Sequence, residues 1–309
     1  MSPSPLAPYL SPQEREDRVD TLARGLGAEV VQYGRSVRGA ALRAVRVPAT
    51  AGTKPASRVL CSANIHGPEL VGGMVALGLL ERLSANEPTV VELRERAEVW
   101  VVPCINPDGY ARTWTRAGEG SLAELRTNAN GVDLNRNYPF PAGAKPGRLP
   151  GAGSPHPGDA TYRGSAPLSE PETRALHELC AAQQFHASAN LHSFMGTLIP
   201  ARVTAREAYA TYRDLCAAFR GGQPHHRYRR LANRIFDVFT GEQEDHQHHA
   251  LGTWAVCVET FPVLASYGQH LRAPSLFWRF NPRDPQPWID NDVPGLLAFF
   301  LAALDRPRP

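Results

Sequence analysis

Four short segments carry side chains whose types and spacing could do chemistry. The first is His66-Gly-Pro-Glu69. A histidine and a glutamate this close in a loop can point at one ion, and zinc takes imidazole nitrogen and carboxylate oxygen at about 2.0–2.2 Å. The same pair also suits an ordinary surface loop. The second is Asn190-Leu-His192-Ser193, at the end of a β-rich run. A histidine there can complete a set of two histidines and one carboxylate that leaves zinc an open fourth position. It can equally be a core histidine bonded to a backbone carbonyl. The third is Gly131-Val-Asp133-Leu-Asn135-Arg136-Asn137. An arginine fork beside an asparagine amide can grip a carboxylate; the alternative is a polar turn in which Asp133 and Asn135 cap backbone groups. The fourth is Glu259, which follows the apolar run 253–258. A carboxylate in such a place is either structurally paired or catalytic.

The elements that must position these groups are legible in the pattern. Ser11-Pro12-Gln13-Glu14 is a capping box with proline at the first helical position, and it predicts a helix over 12–24. Strand-like runs follow at 29–33 and 42–47, joined by a turn over 34–39. Residues 58–63 read as a strand, 64–68 as a loop, and 69–83 as an apolar helix whose Gly72, Gly73 and Gly78 would let it pack closely on a sheet. The run 98–104 reads as a strand buried on both faces, as in a mostly parallel sheet. Residues 139–168 are rich in Pro and Gly and predict a long irregular loop. Ser169-Glu-Pro-Glu172 predicts a second capping box and a helix to 182. Strands are expected at 185–191, 197–199 and 253–258, and helices at 204–219 and 294–304. The expected fold is α/β: a single catalytic domain over 1–309, built as a helix–sheet–helix sandwich around a mixed, mostly parallel sheet. Ligand sites in such folds lie beyond the carboxyl ends of strands, where the four segments fall.

Bulk properties narrow the function. At 309 residues, 42% hydrophobic, the chain can bury a full core. A formal charge of +3 with scattered basic residues argues against a nucleic-acid partner; the cluster His225–Arg230 suits a solvated surface. No apolar stretch is long enough to span a bilayer, so no membrane partner is expected. The first residues show no basic segment followed by an apolar one, so no secretory signal is expected. The five cysteines are an odd number, and Cys61, Cys104 and Cys257 sit in apolar runs. Buried reduced thiols and a cytoplasmic location are expected.

Taken in order, HGPE at 66–69, NPDGY at 106–110, GVDLNRNYP at 131–139, YRGSAPLSEPET at 162–173, LHS at 191–193 and VET at 258–260 resemble the zinc metallocarboxypeptidases. The likeness is to carboxypeptidases A and B, in the style of short bacterial members such as murein peptide amidases. It covers about residues 30–267. The resemblance implies one zinc ion held by His66, Glu69 and His192, with Glu259 as general base. It implies that Asn135 and Arg136 hold the terminal carboxylate of a peptide or small amide substrate. It also implies an arginine that polarises the scissile carbonyl; Arg126 matches its position in the shorter members, and Arg116 is the competitor.

One stretch departs from the family pattern. The segment 240–252 lacks the mobile tyrosine of animal members and reads as a shorter loop. Its His246, His248 and His249 suit either proton donors or a solvated loop. Its Glu242, Glu244 and Asp245 would favour an amine-bearing terminal residue such as Lys, Arg or a diaminopimelic acid. Two other functions are open at this level: a zinc amidohydrolase acting on N-acyl amino acids or cell-wall peptide amides, and a non-enzymatic binding protein on the same fold.

Overall fold

Helix α1 (Pro12–Leu26) forms on the predicted capping box, with Ser11 accepting from Glu14 N–H and the Glu14 carboxylate accepting from Ser11 N–H at 2.7 Å. Gly27, at φ 59, ends it. This is seen in a computed structural model that describes residues 4–50, 57–144, 152–232, 240–262 and 267–309. The chain continues through β1 (Glu29–Arg35), β2 (Ala41–Val47), β3 (Ser57–Ala63), α2 (Leu70–Arg82), α3 (Pro88–Arg96) and β4 (Ala97–Val102). Then come α4 (Pro107–Thr115), α5 (Leu122–Arg126), a 3-10 turn (Leu134–Arg136), α6 (Pro171–Gln183), β5 (Ala187–Ser193), β6 (Thr197–Pro200), α7 (Arg206–Gly222) and β7 (Arg229–Arg230). Helix α8 (Gln243–Leu251), β8 (Trp254–Thr260), α9 (Tyr267–Arg272), α10 (Leu276–Phe280) and α11 (Gln286–Leu304) complete it.

The strands form one sheet in the order β1-β2-β4-β3-β5-β8-β6-β7. The pairs β3–β4, β3–β5, β5–β8 and β6–β7 are parallel; β1–β2, β2–β4 and β6–β8 are antiparallel. The sheet is thus mixed with a parallel centre, as expected. Helices α1, α2, α3, α7 and α11 cover one face, through residues such as Val75, Leu93, Phe219 and Phe299. Helices α6 and α8 cover part of the other with Leu176, Leu179 and Leu251 around Leu60 and Trp100. The central strands are therefore buried on both faces, β5 at every residue, which is why they read as apolar runs rather than alternating ones.

Several expectations fail for physical reasons. The second capping box does not form. Helix α6 starts one residue later, with Glu170 at its N-cap and no side-chain cap. Glu172 is drawn off by Val37 N–H and Asn128 Nδ2, both at 3.1 Å. The last helix begins at Gln286, eight residues before the expected start, and Pro294 lies inside it. Its buried residues on both sides of the proline, among them Val293, Leu296 and Phe300, hold the helix through the missing hydrogen bond. Gly72 does lie against the Leu191 backbone of β5, but Gly78 faces Ile289 of α11 rather than the sheet. Part of the expected loop at 240–252 is helix α8, and His246 is buried against His177 at 2.9 Å instead of solvated. Helices α3, α4, α5, α9 and α10 were not expected. The expected loop 139–168 contains residues 145–151, which lie outside the described residues; its described part pairs once, Ser154 with Tyr162.

Candidate active site

The carboxyl ends of β3, β5 and β8 deliver the site. After β3 the chain turns at Asn64, φ 52, whose Nδ2 donates to the Glu69 carbonyl at 2.6 Å. A Cβ on Gly73 would collide with Asn64 Oδ1, so the helix can lie this close only with glycine there. Gly67 is under the same constraint, against the backbone of Leu125 and Gly109. From beyond α10, Asn281 donates to the Pro68 carbonyl at 2.6 Å and accepts from Val71 N–H at 2.9 Å. That bond satisfies one of the open N–H groups at the start of α2, which has no side-chain cap of its own.

His66, Glu69 and His192 meet with ligand atoms within 4.8 Å of one another, all three buried. His66 Nδ1 is 2.8 Å from Glu69 Oε1, and His192 Nδ1 is 3.2 Å from Glu69 Oε2. The other ring nitrogen of His66 lies 3.1 Å from Asp133 Oδ1. A neutral His66 that donates from Nε2 to Asp133 presents a lone pair from Nδ1 to the Glu69 carboxylate. Two lone-pair groups then face each other in a buried place, an arrangement that a cation between them satisfies. The carboxylate–histidine pair is the usual outer partner of a metal-bound imidazole. The donor set, two imidazoles and one carboxylate, fits zinc. Burial and Arg126 oppose charge on His66, but Glu69 and Asp133 outweigh them and raise its pKa; without a cation a proton on Nδ1 would fill the place between His66 and Glu69, and a bound metal would displace it. Burial lowers that of His192, which favours the neutral ligand form.

Glu259 stands directly beside His192 in the parallel β5–β8 register. The chain turns away two residues later at Phe261, φ 71, a backbone state that a bulky residue adopts only under constraint. One carboxylate oxygen of Glu259 is shielded from solvent and has no hydrogen-bond partner among the described residues. Burial, reinforced by Glu69, pushes this carboxyl up to about 8, against the pull of His66 and Arg126. A divalent cation beside it would draw it down again, into the range where it can take a proton from water at neutral pH.

A cavity of about 450 Å³ opens over these groups and is lined also by Arg126, Asn135, Arg136, Phe194, Glu242, Glu244 and Arg279. Arg126 Nε donates to Asp133 Oδ2 at 2.7 Å, and its Nη1 is 3.8 Å from Glu69 Oε1. Arg116 pairs instead with Glu124 on the surface, at 2.7 Å, and does not line the cavity. Asn135 Oδ1 accepts from Gln243 N–H at 2.9 Å, which leaves its amide nitrogen to donate into the site. Arg136 lies 3.2 Å from Glu242. Helix α8 is held there by a buried polar cluster: Gln243 Nε2 donates to Ser62 and to Asn190 Oδ1, each at 3.0 Å, and Asn190 donates to Gln247 at 3.2 Å.

The sequence profile of zinc carboxypeptidases matches residues 26–260. The chain belongs to the zinc carboxypeptidase family. Among curated relatives, carboxypeptidase D of Anas platyrhynchos is 32% identical over 139 residues, which are 44% of this chain and 8% of that one. The chain therefore matches only a small part of that relative's length. Among solved structures, thrombin activatable fibrinolysis inhibitor superposes with a TM-score of 0.78 at 17% identity, over 99% of this chain and 78% of that one. Carboxypeptidase A from Helicoverpa armigera gives 0.74 at 18%, over 96% and 74%. At such identities these two likenesses are of fold.

In this member of the zinc carboxypeptidase family, every residue singled out from the sequence as ligand, base or anchor lines one cavity. Asp133 is the main omission. It reads as a turn cap, and it does accept from Asn135 N–H at 3.0 Å, but the same carboxylate also holds His66 and Arg126. The signal was its place in the segment that carries Asn135 and Arg136. Asp245 does not reach the cavity; it accepts from Arg202 N–H at 2.7 Å.

Proposed function

We propose that this chain is a metallocarboxypeptidase that releases the C-terminal residue of a peptide. The observation that carries the reading is Glu259 set in register beside His192, with an unpartnered carboxylate oxygen next to a fitting zinc set. His66, Glu69 and His192 would hold zinc, which when bound would supply Lewis acidity toward a water and a carbonyl. Glu259 accepts the proton of the attacking water and delivers it to the leaving amine. Arg126, anchored by Asp133, offers its remaining N–H groups to the carbonyl oxygen as charge builds there. Asn135 and Arg136 hold the terminal carboxylate and so place the scissile bond. The direct test measures bound metal and follows stepwise loss of terminal residues from a peptide mixture, with and without chelator. One zinc per chain and chelator-reversible release are expected. Metal without release from any peptide, but with turnover of N-acyl amino acids, would move the chain to the amidohydrolase reading.

Arg136→Ala is expected to lower kcat/KM on free-acid peptides by about tenfold or more, the range of a charge-assisted hydrogen bond. Amidated peptides, which lack the carboxylate, should be affected far less. Equal losses on both would remove Arg136 from that role.

The terminal side chain we assign is a cationic one. Glu244 lines the cavity, is 2% exposed, and has one oxygen without a partner among the described residues. Burial, then Glu242 and Asp245, raise its pKa well above the carboxylate range. A substrate ammonium or guanidinium would let it ionise, releasing its proton to solvent. Glu244→Gln should cut the preference for lysine-ended over leucine-ended peptides by about tenfold. An enzyme that already favours leucine ends would sink this assignment. We also place the protein in the cytoplasm, a reading supported by its five buried free thiols; recovery in the secreted fraction of cells would overturn it.

A further inference from the structure

Three arginines line the cavity, and two of them have acidic partners: Arg126 with Asp133, and Arg136 with Glu242. Arg279 is the third. It comes from α10, a different wall from α8, and stands next to Phe280, whose ring meets Phe194 edge-on at 4.8 Å. Its Nε is shielded from solvent and has no hydrogen-bond partner among the described residues. A guanidinium stays charged under all ordinary conditions. Half-buried on the cavity wall with that donor unused, the Arg279 side chain is placed to meet a ligand anion.

Building on the carboxypeptidase reading, we propose that Arg279 forms a second anion subsite, which binds an acidic side chain or free carboxylate on the acyl side of the scissile bond. The leaving residue is already provided for. On that reading its carboxylate meets Asn135 and Arg136, and its side chain meets Glu244, all at the α8 end of the cavity. The remaining cation, on the α10 wall, is left to the residue that precedes the scissile bond. A planar guanidinium is suited to a carboxylate, which it can take through two parallel hydrogen bonds. The apolar neighbours Leu276 and Phe280 also line the cavity and keep this wall poorly hydrated, which strengthens such a pair.

The test uses two peptide series with the same terminal residue, differing only in Glu or Gln at the penultimate position. Zinc-loaded wild type should favour Glu by about tenfold to a hundredfold in kcat/KM, the range of charge-assisted hydrogen bonds away from water. Arg279→Ala should bring the ratio to about one, Arg279→Lys should keep part of it, and Arg279→Glu should favour a penultimate lysine instead. That inversion cannot come from misfolding. The same peptides are titrated calorimetrically into zinc-loaded Glu259→Gln protein, with and without Arg279→Ala. Equal treatment of Glu and Gln by wild type, or a Glu preference that survives Arg279→Ala, overturns the subsite. Absence of turnover on both series overturns the peptidase reading instead, and the calorimetric ratio still decides the role of Arg279.

Discussion

Glu259→Gln is expected to lower kcat by about 10²–10⁴ while the protein keeps one zinc per chain. The glutamine has the same shape and can still occupy the strand end beside His192. It has no lone pair basic enough to take a proton from water, so the step that makes the nucleophile and the step that expels the amine both slow. Metal retention follows because Glu259 is not one of the three proposed ligands, His66, Glu69 and His192, which converge through His66 Nδ1, His192 Nδ1 and the Glu69 carboxylate. The metal-free form should be at least as stable as wild type. Burial and Glu69 both disfavour the ionised form of Glu259 in the folded protein, and a neutral amide removes that penalty. A variant that is at least as stable when metal-free, fully metallated with zinc and nearly inactive is the signature of a site kept unfavourable for its chemistry. The checks are metal analysis, a thermal melt and single-turnover kinetics. Turnover close to wild type would take Glu259 out of the mechanism, whatever the melt shows.

Most strand segments along the chain, and the candidate site residues at their ends, were readable because both rest on strong local signals. Apolar runs such as 98–104 and 253–258 have few alternatives in an α/β chain, and the groups at their ends are polar residues in otherwise apolar surroundings. The short helices were not readable. Helix α5 is five residues long and α10 is five, too short for a 3.6-residue period to show. Their formation depends on what they pack against; Phe277 of α10 is buried against Tyr9, edge-on at 5.5 Å. Helix α8 misleads for another reason. Its sequence is polar, and polar residues usually face water, but Gln243 and Gln247 point inward to Ser62 and Asn190, partners supplied by strands far away in sequence. Arg279 was invisible for the same cause: what sets it apart is the unused Nε donor, and partners are known only once the chain is folded. Asp133 shows the converse limit. A turn cap and an outer-shell carboxylate look alike in sequence, and here one residue is both.

Asp133→Asn is expected to weaken zinc binding by about 10–100-fold, the usual cost of losing an outer partner of a metal-bound imidazole. Although burial opposes its ionisation, Arg126 and His66 hold the Asp133 carboxyl far below the ordinary range, so it is an anion at neutral pH. One oxygen accepts from His66 and the other from Arg126. An amide cannot do both, since one of its two ends is a donor. If its oxygen stays with His66, an N–H faces the Arg126 guanidinium, and the arginine must find another acceptor. The nearest is Glu69, whose Oε1 is already 3.8 Å from Arg126 Nη1. Arg126 would then compete with the metal for its own carboxylate ligand. If the amide turns over, His66 loses the acceptor that fixes its Nε2–H tautomer, and Nδ1 is no longer held as a lone pair for the ion. Both outcomes weaken the same site, which makes the direction of the effect independent of which rotamer wins. Competition with a zinc chelator of known affinity measures the loss, and excess zinc should restore bound metal; where the amide oxygen has stayed with His66, kcat stays low even then, because Arg126 is displaced. Wild-type affinity with lowered kcat would mean that Asp133 acts only through Arg126, and that His66 keeps its tautomer without it.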